Sequence, residues 1–171
     1  MGRMVLLKHD LPDGTSHFDW LIERDVIGQQ RTDVRGRDGD ERCLIAFRVL
    51  DRVDVEKVAT FSADRMEDHR YAYLEHQGAV NGGRGSVARV ASGIARHVVE
   101  AGGTISIRGK WAKGEERVWA GKADTDLWVF VRSAVLIGRP KPARKDEDQP
   151  RTLGDILGAD ADSPAKYPFG L

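Results

Sequence analysis

Short runs in which apolar and polar residues alternate recur along residues 4–137, separated by turns rich in Gly, Pro, Asn and Asp. Residues 4–7 (MVLL) form a first apolar run that ends in Lys8-His9-Asp10. Pro12, Asp13 and Gly14 then supply turn chemistry. From His17 to Ile27 the pattern is extended again: Phe18, Trp20 and Ile22 share one face, and His17, Asp19, Leu21 and Glu23 the other. Residues 28–42 are polar and read as a surface loop, and residues 43–49 (CLIAFRV) as a strand. Residues 51–58 fit strand or helix equally, and residues 59–67 read as loop. A glycine-rich turn at residues 81–85 precedes alternation from Ser86 to Val90. Residues 94–101 fit a short helix or a strand. Alternation at 104–111, a short strand at 118–121 and a nearly continuous apolar run at 126–137 complete the pattern, the last as in a strand buried on both faces.

Many short strands between glycine turns predict a mainly β fold, a small antiparallel β-barrel with minor helix. Trp20, Trp111, Trp119 and Trp128 are expected in its core. From Gly138 the chain changes character. Residues 138–152 are proline-punctuated and charged, and only Leu153, Ile156 and Leu157 make an apolar patch beyond them. The expected organisation is a barrel domain over 1–137 and a disordered, charged tail over 138–171.

Composition narrows the function. The 171 residues are 40% hydrophobic and 32% charged, a globular balance. Basic and acidic residues tie at 27 each, so attraction to phosphates must come from a local cluster, not from bulk charge. The single cysteine, Cys43, excludes a disulfide framework and a thiolate zinc cage. No apolar run approaches the roughly 20 residues of a membrane span, and the N-terminal apolar stretch is too short for a signal peptide. A cytoplasmic monomer with no membrane partner is expected.

Candidate chemistry is carried by histidines. His9 and His17 flank the first turn, and Asp19 shares a strand face with His17. Antiparallel neighbours lie about 5 Å apart, so the three can meet; imidazole and carboxylate together suit first-row divalent metals. The same three side chains also fit a plain solvated hairpin. His69 and Tyr73, four apart, share a face in either a helical turn or a strand, and together can serve a phosphate oxygen. A polar His beside a half-buried Tyr is the alternative. Arg84, among glycines, suits either a phosphate clamp or an ordinary turn. His76 and His97 have no partner in the sequence.

The order Lys8-His9-Asp10, His17-Phe18-Asp19-Trp20-Leu21-Ile22-Glu23, Asp68-His69-Arg70-Tyr71-Ala72-Tyr73, then a glycine-rich turn and Gly85-Ser86-Val87, resembles the 3′-phosphoesterase domain of bacterial DNA ligase D over residues 3–137. The resemblance implies a small β-barrel that removes 3′-phosphates or 3′-ribonucleotides from DNA or RNA ends, with a repair ligase or polymerase as partner. It implies a divalent metal, manganese before zinc or cobalt, held by His9, His17 and Asp19, with His69 and Tyr73 at the scissile phosphate. Three departures stand out. The first two histidines are eight apart where the family has six, Leu21 occupies the place of an active-site arginine, and an upstream arginine on the strand before the Asp-His pair has no obvious counterpart. Arg65, Arg70 and Arg84 are stand-ins for the missing guanidinium. A non-catalytic module that binds nucleic-acid ends or a phosphorylated ligand is the alternative function.

Truncation at Gly138 is expected to leave the melting temperature within a few degrees, since little apolar area leaves water there. A large loss would show that Leu153, Ile156 and Leu157 pack on the barrel.

Overall fold

The computed structural model describes residues 1–24, 39–125 and 127–134. The chain divides into Met1–Leu136 and Ile137–Leu171, and the second unit, with the expected tail, lies outside the described residues. So does most of the polar loop at 28–42.

The first unit is mainly β. Nine strands follow in order: β1 (Gly2–Asp10), β2 (Ser16–Glu23), β3 (Arg42–Val49), β4 (Thr60–Arg70), β5 (Gly78–Ala79), β6 (Ser86–Ala101), β7 (Thr104–Trp111), β8 (Arg117–Asp124) and β9 (Leu127–Ala134). A 3-10 turn, Tyr71–Leu74, is the minor helix among the described residues. Every pairing is antiparallel, in the order β1-β2-β3-β4-β9-β8-β7-β6. A further pairing of β1 with β6 closes this ring into an eight-stranded barrel, which removes the free edges of an open sheet. β5 is a two-residue addition beside the start of β6. No described helix is long and apolar enough to cross a membrane.

Two apolar clusters follow from the alternation. Met4, Leu6, Trp20, Ile22, Ile45, Phe47, Phe61, Ile107, Trp119 and Phe130 point into the barrel. Val5, Leu7, Leu21, Leu44 and Ala46, of opposite parity on β1–β3, are buried on the outside, under Leu74, Val80 and Val87. The segment after β4 thus lies over the outer face of β1–β3, and those three strands are apolar on both sides. Burying both faces is what places the functional face beside a packed cluster and not in open solvent.

Several local expectations are corrected. Residues 59–67, read as loop, form most of β4. Their inward positions are Phe61, Ala63 and Arg65, and the Arg65 guanidinium lies 5.4 Å from the Phe47 ring centroid, so an apolar pattern was masked by a small and a charged residue. Residues 51–58 are neither strand nor helix but successive turns, with Val53 fully buried against the core. Residues 94–101 are strand, continuous with 86–93. A register shift between Ala95 and His97 breaks the parity there. The apolar run at 126–137 is not buried on both faces: within β9, Phe130 is fully buried while Leu127, Val129 and Val131 are 45%, 38% and 53% exposed. An antiparallel barrel strand has one outer face, and nothing among the described residues covers this one. Residues 126 and 135–137 lie outside the described residues.

Gly121 sets the fit of the core. A Cβ built there would stand 2.5 Å from Phe130 Cε1 and 2.8 Å from Ile105 Cγ2. Gly121→Ala is expected to cost about 1–3 kcal/mol by overpacking, read as a lower denaturation midpoint with unchanged m-value. An unchanged midpoint would show that Phe130 has room to move.

Candidate metal and phosphate site

Register carries the candidate ligands into one place. His9 and His17 are direct partners across β1 and β2, and Asp19 follows two positions on, on the same face. The two imidazole centroids are 4.8 Å apart at 61°. Asp19 bridges them: Oδ2 lies 3.3 Å from His9 Nδ1, and Oδ1 lies 3.2 Å from His17 Nε2. One donor atom from each residue falls within 4.8 Å of the others, so the group could hold a metal ion. Two donors about 2.1 Å from one ion stand up to about 4.2 Å apart, so small rotations gather the three. The loop between the two histidines leaves this geometry intact, because the strands meet at Asp10↔Ser16.

The surroundings prepare these side chains for ligation. His9 Nε2 lies 2.8 Å from the Arg84 carbonyl oxygen. A carbonyl only accepts, so Nε2 donates there, and Nδ1, on the Asp19 side, is the nitrogen that a cation held between them would engage. Burial pushes the His17 pKa down; Asp19 opposes this, and Arg48 and His9 add to it. His17 is therefore held neutral, the form that binds a metal.

The turn at residues 81–85 is built to reach β1. Gly85 has φ +94°, and a Cβ there would collide with the Asp10 carbonyl oxygen. Only glycine allows that approach, which sets the Arg84 carbonyl against His9. Arg84 Nε donates to the Asn81 carbonyl at 2.9 Å, so its terminal nitrogens are carried by a braced stem.

His9, His17 and Asp19 line a cavity of about 740 Å³ together with His69, Tyr73, Arg70 and Arg84. His69 comes from the end of β4 and Tyr73 from the 3-10 turn; their rings are 5.3 Å apart at 69°. His69 Nδ1 lies 2.9 Å from the Glu67 carbonyl, which fixes the proton there and leaves Nε2 for a ligand. Of the sequence candidates, Arg65 does not join the cavity lining. It donates to Asp68 at 2.6 Å and also meets Glu100. Burial works against the Asp68 carboxylate, but hydrogen bonds from Arg65 and Arg24 outweigh it and hold its pKa low. Arg65 thus closes a structural ion-pair group. His76 packs its ring 5.6 Å from Tyr73 and contacts the Ala79 carbonyl at 3.1 Å.

Two cavity residues were missed in the sequence: Arg42 and Arg48. Arg48 stands opposite Asp19 across β2 and β3. Its Nε is buried with no hydrogen-bond partner among the described residues, and the residue lines the cavity. The signal was present as a polar residue closing the parity series Leu44, Ala46, Arg48. Leu21, by contrast, is fully buried in the outer apolar cluster. An arginine there would take its charge into that cluster, whereas Arg48 stands opposite Asp19 on the next strand.

Compared with known proteins, the chain matches no family model and no curated protein.

Manganese, zinc or cobalt is expected to raise the melting temperature, by the equivalent of about 2.7 kcal/mol at a hundredfold excess over Kd. Asp19→Asn should erase the increment. Since the folded chain lowers the His17 pKa, the folded state binds fewer protons than the unfolded one. The stability this gives is full above the ordinary imidazole pKa and is lost as pH falls through the folded value. The metal increment should shrink over the same interval. A full increment in Asp19→Asn would put the ligands elsewhere.

Proposed function

We propose that this barrel is a metal-dependent phosphoesterase of the kind found in bacterial DNA ligase D, acting on 3′-phosphates or 3′-ribonucleotides at nucleic-acid ends. The observation that carries the reading is the convergence of two histidines and an aspartate with His69, Tyr73, Arg84 and Arg48 around one cavity. A divalent cation held by His9, His17 and Asp19, manganese first, would supply Lewis acidity toward a phosphoryl oxygen. Arg48, opposite Asp19, and Arg84, braced on Asn81, take the non-bridging oxygens by charge-assisted hydrogen bonds. As water forms a bond to phosphorus and loses a proton to solvent, the bond to the leaving oxygen breaks, and His69, with Nδ1 anchored on the Glu67 carbonyl, gives that oxygen a proton from Nε2 in its imidazolium form. Tyr73 orients an oxygen from beside His69. A repair ligase or polymerase is the partner class this reading implies.

A second reading is kept by one observation: the arginine of the family pattern is replaced by the buried Leu21. On it the cavity binds an end or a phosphorylated ligand without turnover. The deciding experiment is incubation with manganese and a primer-template ending in a 3′-phosphate or one ribonucleotide, read on a gel. Turnover is expected. His69→Ala should abolish it with metal affinity unchanged, because the metal ligands come from β1 and β2 alone. Arg48→Ala should lower it tenfold or more, as one charged hydrogen bond is worth about 1.5–3 kcal/mol. A wild type inert with manganese, zinc and cobalt that still binds the 3′-phosphorylated strand would favour the second reading.

A further inference from the structure

The cavity holds more guanidinium than a single phosphate needs. Arg42 and Arg70 line it beside Arg48 and Arg84. Arg42 and Arg70 are direct partners across β3 and β4, and like charges directly opposite in an antiparallel pair destabilise it. Their counter-ions are weakly placed. Arg42 Nη1 is 3.4 Å from Glu67 Oε2, on a side chain that is 91% exposed. Its other contact is the Asp68 carbonyl at 3.1 Å. Arg70 Nη1 is 3.1 Å from Asp40 Oδ1, on a side chain that is 77% exposed. Exposed pairs of this kind contribute little and yield easily to a better anion.

Position tells what that anion is attached to. Arg42 and Arg48 both belong to β3, and their Cα atoms are separated by an extended rise of up to about 20 Å that register shifts at Arg42/Leu44 and Leu44/Ala46 interrupt; both side chains line the cavity. A strand of linked phosphates can meet the two arginines at once. Tyr73 lies next to Arg70, whose guanidinium carbon is 5.8 Å from the Tyr73 ring centroid, and its ring meets those of His69 and His76. Aromatic faces beside a basic track suit unpaired bases.

We propose that Arg42 and Arg70 form a second phosphate subsite, occupied by an upstream phosphate of the same single nucleic-acid strand whose terminal phosphate meets Arg48 and the His9–His17–Asp19 group. This assignment rests on the proposed function for the inner end only. It makes the protein a reader of strands, not of mononucleotides.

The test uses the full chain and 5′-fluorescein oligonucleotides of one to eight nucleotides carrying a 3′-phosphate, with affinity read by anisotropy in EDTA. Affinity should rise stepwise, by tenfold or more, once the strand is long enough to span the two arginine pairs. In Arg42→Gln the step should fall severalfold while the shortest ligand binds as before. The slope of log K against log salt for the longest strand should fall by about 0.7, the value of one contact. A wild type whose affinity does not depend on length overturns the subsite, and this holds even if the variant fails to fold. A step that survives undiminished in the folded variant also overturns it. Inorganic polyphosphate of matched charge binding as tightly as the strand overturns the nucleic-acid assignment. A manganese gel assay run alongside separates the two readings: a length step without turnover fails the phosphoesterase alone, and turnover without a length step fails the subsite alone.

Discussion

Everything at the site depends on the direction of one side chain, Trp20. Its indole is the centre of the barrel's aromatic core, with ring centroids of Phe47, Phe61, Trp111, Trp119 and Phe130 between 5.5 and 6.4 Å away. With Trp20 pointing in, the period of two forces Asp19 out and His17 with it. A register slip of one residue would put the indole on the outer face and the carboxylate into the core. The energy that orders the site is therefore apolar burial several residues wide, and the polar side chains inherit their direction from it. Leu21 and Leu7, buried on the opposite side, hold the same strands from without.

The second requirement is that distant segments arrive at that outer face. The 71–85 segment does so by burying Leu74 and Val80 against it, and Gly85 then permits the backbone contact with Asp10. One turn thereby sets the Arg84 carbonyl that fixes the His9 tautomer and the Arg84 stem that faces the cavity. The two functions are coupled through backbone and not through side-chain charge, which makes the turn's geometry more consequential than the identity of most residues in it.

What was legible in the sequence follows this division. The β1–β2 hairpin could be read because its alternation is clean and both faces carry a signal: aromatics on one, His and Asp on the other. The turn at 81–85 was legible from its glycines. β4 was not, because Ala63 and Arg65 take inward positions that a hydrophobicity pattern expects to be large and apolar. The two-sided burial was assigned to the wrong strand for a related reason. An apolar run in β9 reads like one in β1, and only the cover supplied by residues far along the chain distinguishes them. Arg48 left one local trace, a polar residue closing the parity series Leu44, Ala46, Arg48, but its role is set by its neighbour across β2 and β3.

Charge distribution closes the argument. With 27 basic and 27 acidic residues the chain as a whole presents no net charge, yet four arginines line a cavity whose acidic residues are Asp19 and Glu67. Asp19 lies between the two imidazoles, where a cation held by the three side chains would offset its charge. Glu67 is almost wholly exposed and screened by solvent. The field inside the cavity is thus set by the guanidiniums, and low-dielectric walls built from Val80, Val87 and Met66 keep it from being screened as an open surface would be. The many ion pairs elsewhere, such as Arg65 and Arg24 with Asp68, cancel locally and leave this imbalance where it is. A neutral protein can in this way hold a cavity of local positive charge, with Arg48 on β3 opposite Asp19 and Leu21 packing the face on which the site is built.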